Sequence, residues 1–150
     1  MLKRLFLSVM LLCSALYSNT INIAVAANVS YAIDSLIAEF NITHPDTKVN
    51  VTLGSSGKLT AQITHGAPFE LFMSANMKYP NKLYENKIAI TRPIVYAQGS
   101  LAMLSSKNID FSKGINFLKD RKIKRIAVAN PKTAPYGKAA FEAFKNAKIL

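Results

Sequence analysis

From Ile21 onward the apolar residues follow two periods in turn, and this alternation constrains the fold more than any other feature. Ile21–Ala26 is a short apolar run with β-branched residues, which reads as a buried strand. Ser30–Phe40 then places Ala32, Ile33, Leu36, Ile37 and Phe40 at helical spacing, with Asn28 or Ser30 as the expected cap. His44-Pro45-Asp46 ends that helix, because the residue before proline disfavours the helical conformation. Lys48–Leu53 alternates Val49, Val51 and Leu53 as a second strand, and Gly54-Ser55-Ser56-Gly57 makes a turn. Lys58–Thr64 is a short helix closed by Gly66, Glu70–Ser74 a third strand, and Pro80–Asn86 another short helix. Ile94–Ser105 is strand-like with a break at Gly99, and Ile126–Ala129 is a further strand. Pro131–Gly137 reads as a loop and Lys138–Lys148 as a helix. Strands alternating with helices predict an α/β fold with a largely parallel sheet.

The first eighteen residues stand outside this pattern. Lys3 and Arg4 precede an apolar run from Leu5 to Leu12, and the small residues Ser14, Ala15 and Ser18 follow. This is the layout of a secretory signal peptide over residues 1–18, cleaved after Ser18, and the run is too short to span a membrane. Cys13 is the sole cysteine and would leave with the signal. A mature chain without cysteine has no disulfide, no thiolate metal site and no cysteine nucleophile. It suits an oxidising compartment.

Ligands of parallel α/β sheets sit at the carboxyl ends of the strands. Three strand-to-helix junctions therefore matter: Ala26–Ser30, Gly54–Lys58 and Asn130–Gly137. They carry small residues, hydroxyls, amides and glycine. Lys58, Lys132 and Lys138 bring the only charge, and none of the three holds a carboxylate or histidine. A helix start presents unpaired N–H groups and partial positive charge, so an anion can sit there without a cationic side chain. Gly54 and Gly57 allow close backbone approach, Ser55 and Ser56 add hydroxyl donors, and Gly137 is permissive behind Tyr136. Taken singly, each junction is an ordinary turn or cap.

Catalytic patterns fare worse. His44 and His65 fall at helix ends, far apart and off metal-ligand spacing. No Ser-His-Asp signature or Gly-x-x-x-x-Gly-Lys loop appears, so no catalytic residue and no direct metal ligand is assigned. The net charge of +11, from 19 Lys and Arg against 8 Asp and Glu, favours anion capture in general. An export signal argues against nucleic acid, and the Lys119–Arg125 cluster reads as a solvated turn.

Three stretches resemble the periplasmic molybdate-binding proteins of ABC importers: INIAVAANVS (21–30), VTLGSSGKLTAQITHGAPFELFMSA (51–75) and RIAVANPKTAPYG (125–137). The resemblance runs from about Ile21 to the end of the sequence. It implies a periplasmic, type II-like binding protein of two lobes with mixed, mostly parallel sheets, working as a monomer. It would hold molybdate or tungstate in the cleft, without a cofactor, and hand it to a membrane permease. Residue by residue, the first-loop ligand falls at Asn28, with Ser30 as the alternative hydroxyl. The second-loop ligand falls at Ser56, and a backbone N–H donor at Tyr136. Asn28, Glu70 and Asn76 depart from the usual residues. Members of the family continue beyond the point matching Leu150, so the expectation is a first lobe over 19–92 and an incomplete second lobe over 93–150. Receptors for sulfate, phosphate or ferric ion share the fold, and a secreted enzyme on an anionic substrate or a sensory domain are readings of other classes. As a turn residue, Ser56 should cost at most about 0.5 kcal/mol of stability on truncation to alanine.

Overall fold

The computed structural model describes residues 19–120 and 122–150. The expected signal segment, its cleavage point and Cys13 lie outside the described residues. Three strands form one parallel sheet: β1 (Asn19–Ala26), β2 (Thr47–Gly54) and β3 (Leu71–Met73), in the order β2-β1-β3. β1 pairs with β2 from Asn19↔Thr47 to Ala26↔Gly54, and with β3 from Ile23↔Leu71 to Val25↔Met73. All three strands therefore end at the same edge of the sheet.

Four helices accompany the strands: α1 (Ile33–Thr43), α2 (Ser56–Thr64), α3 (Lys78–Glu85) and α4 (Pro135–Asn146). The central strand explains the layering. Its odd-numbered residues Ile21, Ile23 and Val25 pack with Val29 and with Ile33 and Ile37 of α1. Ala24 and Ala26, pointing to the opposite face, are buried as well. Their small size lets α2 approach β1 on that side, where the buried Leu59 closes against Gly54. Burial on both faces is why β1 reads as a continuous apolar run, whereas β2, at the sheet edge, alternates. None of the four helices is long and apolar enough to cross a membrane.

Several boundaries differ from the sequence reading. Neither Asn28 nor Ser30 caps α1: residues Ala27–Val29 form a single 3-10 turn, and the helix starts behind Ala32. α2 begins at Ser56 instead of Lys58, so half of the Gly-Ser-Ser-Gly turn is helical. α4 begins at Pro135, because proline's fixed φ suits the first helical position and its missing N–H costs nothing there. Tyr136 and Gly137 thus belong to a helix rather than to a loop.

The larger correction concerns Ile94–Ser105 and Ile126–Ala129. Neither segment forms a ladder among the described residues, and β1, β2 and β3 are the only strands there. Apolar, β-branched sequence marks a propensity, but a strand exists only through a partner. Without one, Ile94 and Leu104 remain 80% and 90% exposed. Leu101–Ser105 and Ile126–Ala129 line an open apolar hollow of about 640 Å³ beneath α4, shared with Phe111, Phe117 and Phe144. The described ordered core is therefore one α/β lobe, with 93–150 contributing a helix, a short 3-10 segment and irregular chain.

Candidate functional site

The carboxyl edge of the sheet gathers the first two junctions directly, since Ala26 and Gly54 are register partners. The third junction reaches the same place by another route. It is not a strand end on that edge, as the alternation had implied; it is the approach to α4, held by a backbone hydrogen bond from Gly57 N–H to Thr133 C=O (3.0 Å). The contact is close enough that a Cβ on Gly57 would lie 2.9 Å from the Tyr79 hydroxyl and 3.0 Å from the Thr133 carbonyl oxygen. Glycine is required at 57 by neighbours, not by a special φ.

Asn130 organises the third junction. Its carbonyl accepts from Ala134 N–H (2.8 Å) and Thr133 N–H (3.2 Å), and its side-chain oxygen accepts from Lys132 N–H (2.9 Å). Gly137, buried, packs against the Ala129–Asn130 backbone with no space for a side chain. This close packing sets the height of the first turn of α4. The Tyr136 N–H lies in that turn, where no intrahelical acceptor exists.

Ser56 is fully buried, and its hydroxyl oxygen accepts a hydrogen bond from Ala75 N–H (3.0 Å). It is thus no mere turn residue. Truncation would strand a part-buried N–H, at about 1–3 kcal/mol, which overturns the small cost expected from the turn reading. Ser55 precedes the helix, but its hydroxyl does not cap it; the oxygen is buried with no protein partner.

Asn28 is exposed just beyond the end of β1, and its side chain lies near the hydroxyl of Tyr96. Ser30 uses its backbone N–H to close the 3-10 turn onto Ala27 C=O (3.2 Å). The Tyr96 hydroxyl donates to Ser74 C=O (3.2 Å). Burial pushes the Tyr96 phenol above its ordinary pKa; the nearby Asn28 amide opposes this, and the neighbouring Tyr136 adds to it. The Tyr136 ring reaches back so that its hydroxyl rests against Gly99. Asn28, Ser56 and Tyr136 therefore fall in one neighbourhood, linked through Tyr96, Ser74 and Thr133.

The neighbourhood is neutral. Lys58, Lys132 and Lys138 are all exposed, and Lys138 pairs with Glu142 one turn along α4 (3.6 Å). Among the described residues, no group of three or more His, Cys, Asp or Glu side chains is placed to hold a metal ion. His65 is occupied at the end of α2, its ring nitrogen against Ala61 C=O (2.7 Å), and His44 stacks on Phe40 at the end of α1. Glu70 serves the opposite end of the sheet: its carboxylate accepts from Asn22 N–H (2.7 Å), and its own N–H donates to Asn22 C=O (2.9 Å).

Sequence reasoning missed Tyr96, Ser74, Asn130 and Thr133. Tyr96 lay within an apolar run, where an aromatic residue carries no mark of a polar task. Asn130 had a weak signal, since an asparagine two residues before a turn N–H is the Asx-turn pattern.

The chain is 36% identical over 136 residues to the molybdate-binding protein ModA of Azotobacter vinelandii, covering 88% of the chain and 52% of that protein. It is 38% identical over 122 residues to the ModA of Rhodobacter capsulatus, covering 79% and 47% respectively. The structure superposes on the periplasmic molybdate-binding protein of Azotobacter vinelandii with a TM-score of 0.80 at 32% identity, covering 87% of this chain and 56% of that one. The chain thus spans about half the length of the curated relatives it matches. A family model, bacterial extracellular solute-binding protein, matches residues 21–150, and the chain belongs to that family.

Proposed function

We propose that this chain is the oxyanion-binding part of an extracytoplasmic receptor that captures molybdate or tungstate and delivers it to an ABC importer. The observation that carries the reading is the meeting of three donor-rich junctions that hold no carboxylate or histidine and whose lysines are exposed, joined by the Gly57–Thr133 hydrogen bond and by the nearness of Asn28 to Tyr96. The relatives named as molybdate-binding proteins supply the ligand class. Asn28 offers an amide N–H, Ser56 a hydroxyl, and Tyr136 a backbone N–H. Each hydrogen bond to a charged acceptor contributes roughly 1.5–3 kcal/mol. A shell of donors alone favours a fully deprotonated dianion, since a proton on the ligand finds no acceptor. Donors fixed on helix starts hold a set spacing, which discriminates by anion size.

In this reading residues 1–18 direct export to the periplasm, 19–92 form the first lobe, and 93–150 begin the second. The protein acts as a monomer, performs no catalysis, binds no nucleic acid and carries molybdenum only as the oxyanion. Isothermal titration with molybdate, tungstate, sulfate and phosphate tests it. The expected order places the first two far ahead. Sulfate binding as tight as molybdate binding would refute the ligand assignment.

A further inference from the structure

Two side-chain hydroxyls grip one peptide unit from opposite ends. Tyr96 donates to the carbonyl of Ser74 (3.2 Å), and the N–H of the same peptide, on Ala75, donates to the Ser56 hydroxyl oxygen (3.0 Å). Ser74 is itself buried and follows β3, Ser56 follows β2, and Tyr96 comes from the irregular segment that crosses the sheet edge. The side chain of Asn28, which follows β1, lies near the same hydroxyl. A single hydroxyl therefore binds the loop after β3, reaches the loop after β2 through one amide, and neighbours the loop after β1.

The direction of these bonds matters. The amide is a conjugated unit, so a donor on its oxygen draws electron density from nitrogen and makes the N–H a stronger donor. That N–H occupies a lone pair of the Ser56 oxygen. The Ser56 proton then cannot point toward Ala75, and no protein acceptor among the described residues takes it. Ser56 is fully buried, and its O–H remains a donor without a protein acceptor there. The Tyr96 proton is committed to Ser74, which leaves its oxygen available as an acceptor toward the nearby Asn28 amide.

We propose that Tyr96 is a positioning residue for the oxyanion site, orienting Ser56 through the Ser74–Ala75 peptide and Asn28 as its near neighbour. It does not touch the anion; it makes two donors from different loops point the same way before the anion arrives. The proposal rests on the binding function proposed above.

The test is a set of mutant cycles read by molybdate titration, with wild type, Tyr96→Phe, Ser56→Ala, Asn28→Ala and the two double variants carrying Tyr96→Phe. Tyr96→Phe keeps the ring and removes only the hydroxyl. It should weaken molybdate binding about tenfold, as expected for one hydrogen bond's worth of orientation. The loss should shrink at least threefold when Ser56 or Asn28 is already alanine, because coupled residues are non-additive. A second readout needs no ligand. In the free protein, Tyr96→Phe should move the Ala75 amide proton upfield in an NMR spectrum, since its polarising donor is gone. An equal loss in all backgrounds, or an unmoved Ala75 resonance, overturns the proposal. Absence of molybdate binding by the wild type would refute the proposed function instead, and the Ala75 resonance would still decide whether Tyr96 acts on the Ser56 partner.

Discussion

Gly137 sets two effects of opposite sign against each other. Alanine is a better helix former than glycine by about 1 kcal/mol in a helix interior, and by less in the first turn where Gly137 sits. A residue here with helical φ would ordinarily be stabilised by Gly→Ala. However, a Cβ at 137 would collide with the Ala129 carbonyl oxygen, lie 2.7 Å from the carbonyl carbon of Ala129 and 3.0 Å from that of Asn130. Ordinary contact begins near 3.4 Å, and the obstacle is backbone, which cannot rotate away. The start of α4 must therefore move outward by at least about 0.7 Å, with overpacking costs of about 1–3 kcal/mol. The clash exceeds the propensity gain, so Gly137→Ala should destabilise by about 1–2 kcal/mol. Thermal unfolding should fall on the order of 4 °C for each kcal/mol in a chain of this size. The displacement also carries the Tyr136 N–H away from the cleft. Losing its hydrogen bond to an anion should weaken binding about tenfold or more. Lys138→Ala, at the exposed neighbouring position, is the control and should change neither quantity. Calorimetry and molybdate titration of both variants suffice. A Gly137→Ala protein with raised Tm and unchanged affinity would show that the Ala129–Asn130 backbone yields freely and that the helix start does not position the donor.

Three further outcomes follow from the same structure. Ser56→Ala should lower stability by about 1–3 kcal/mol, because Ala75 N–H loses its acceptor, and should also weaken oxyanion binding; denaturant unfolding with unchanged midpoint would refute the buried-acceptor role. Asn28→Asp should abolish molybdate binding through like-charge repulsion while leaving the unfolding temperature within a degree or two, since Asn28 is exposed; retained affinity would remove Asn28 from the site. The Asp110 carboxylate accepts from the Ser112 backbone N–H and hydroxyl (2.8 Å each), which hold its pKa below the ordinary value. A depressed pKa stabilises the fold above the unfolded-state value and loses that effect as pH falls through the folded-state value. An NMR titration should therefore find Asp110 below about 3.9, and Ser112→Ala should raise it.

The first lobe was legible because its signals are local and redundant. In β1 the short apolar run with β-branched residues points to a buried strand, and the structure buries it at the centre of the sheet. The alternation of Val49 and Val51 likewise marks β2 as a strand. Helix starts were less legible. Asn28 and Ser30 look like caps by composition, yet neither caps with its side chain, because a 3-10 turn over Ala27–Val29 intervenes and the helix starts behind Ala32. Ile94–Ser105 failed for a deeper reason. Its β-type composition is real, but ladder formation depends on a distant partner, and propensity says nothing of whether one is present. The candidates Asn28, Ser56 and Tyr136 came from the resemblance of short motifs. Tyr96 was not, because its role comes from a fold-back of twenty-two residues onto Ser74, and no local pattern encodes that.

The open side of β2 has a consequence for self-association. β2 carries eight residues with no strand beyond it among the described residues, which leaves a row of backbone donors and acceptors able to template a neighbouring chain. β3, at the other border, is only three residues long and offers little to template. Along β2 the exposed positions are Lys48, Asn50, Thr52 and Leu53. A lysine near the start of an exposed border strand makes stacking of like chains costly, since each added copy would bring another positive charge into line. Asn50 is further occupied across the pair, its amide donating to the Asn22 side chain (3.1 Å). The long border thus carries charge and polarity at three of its positions and the short one is limited by its length, which disfavours edge-to-edge growth of the described sheet.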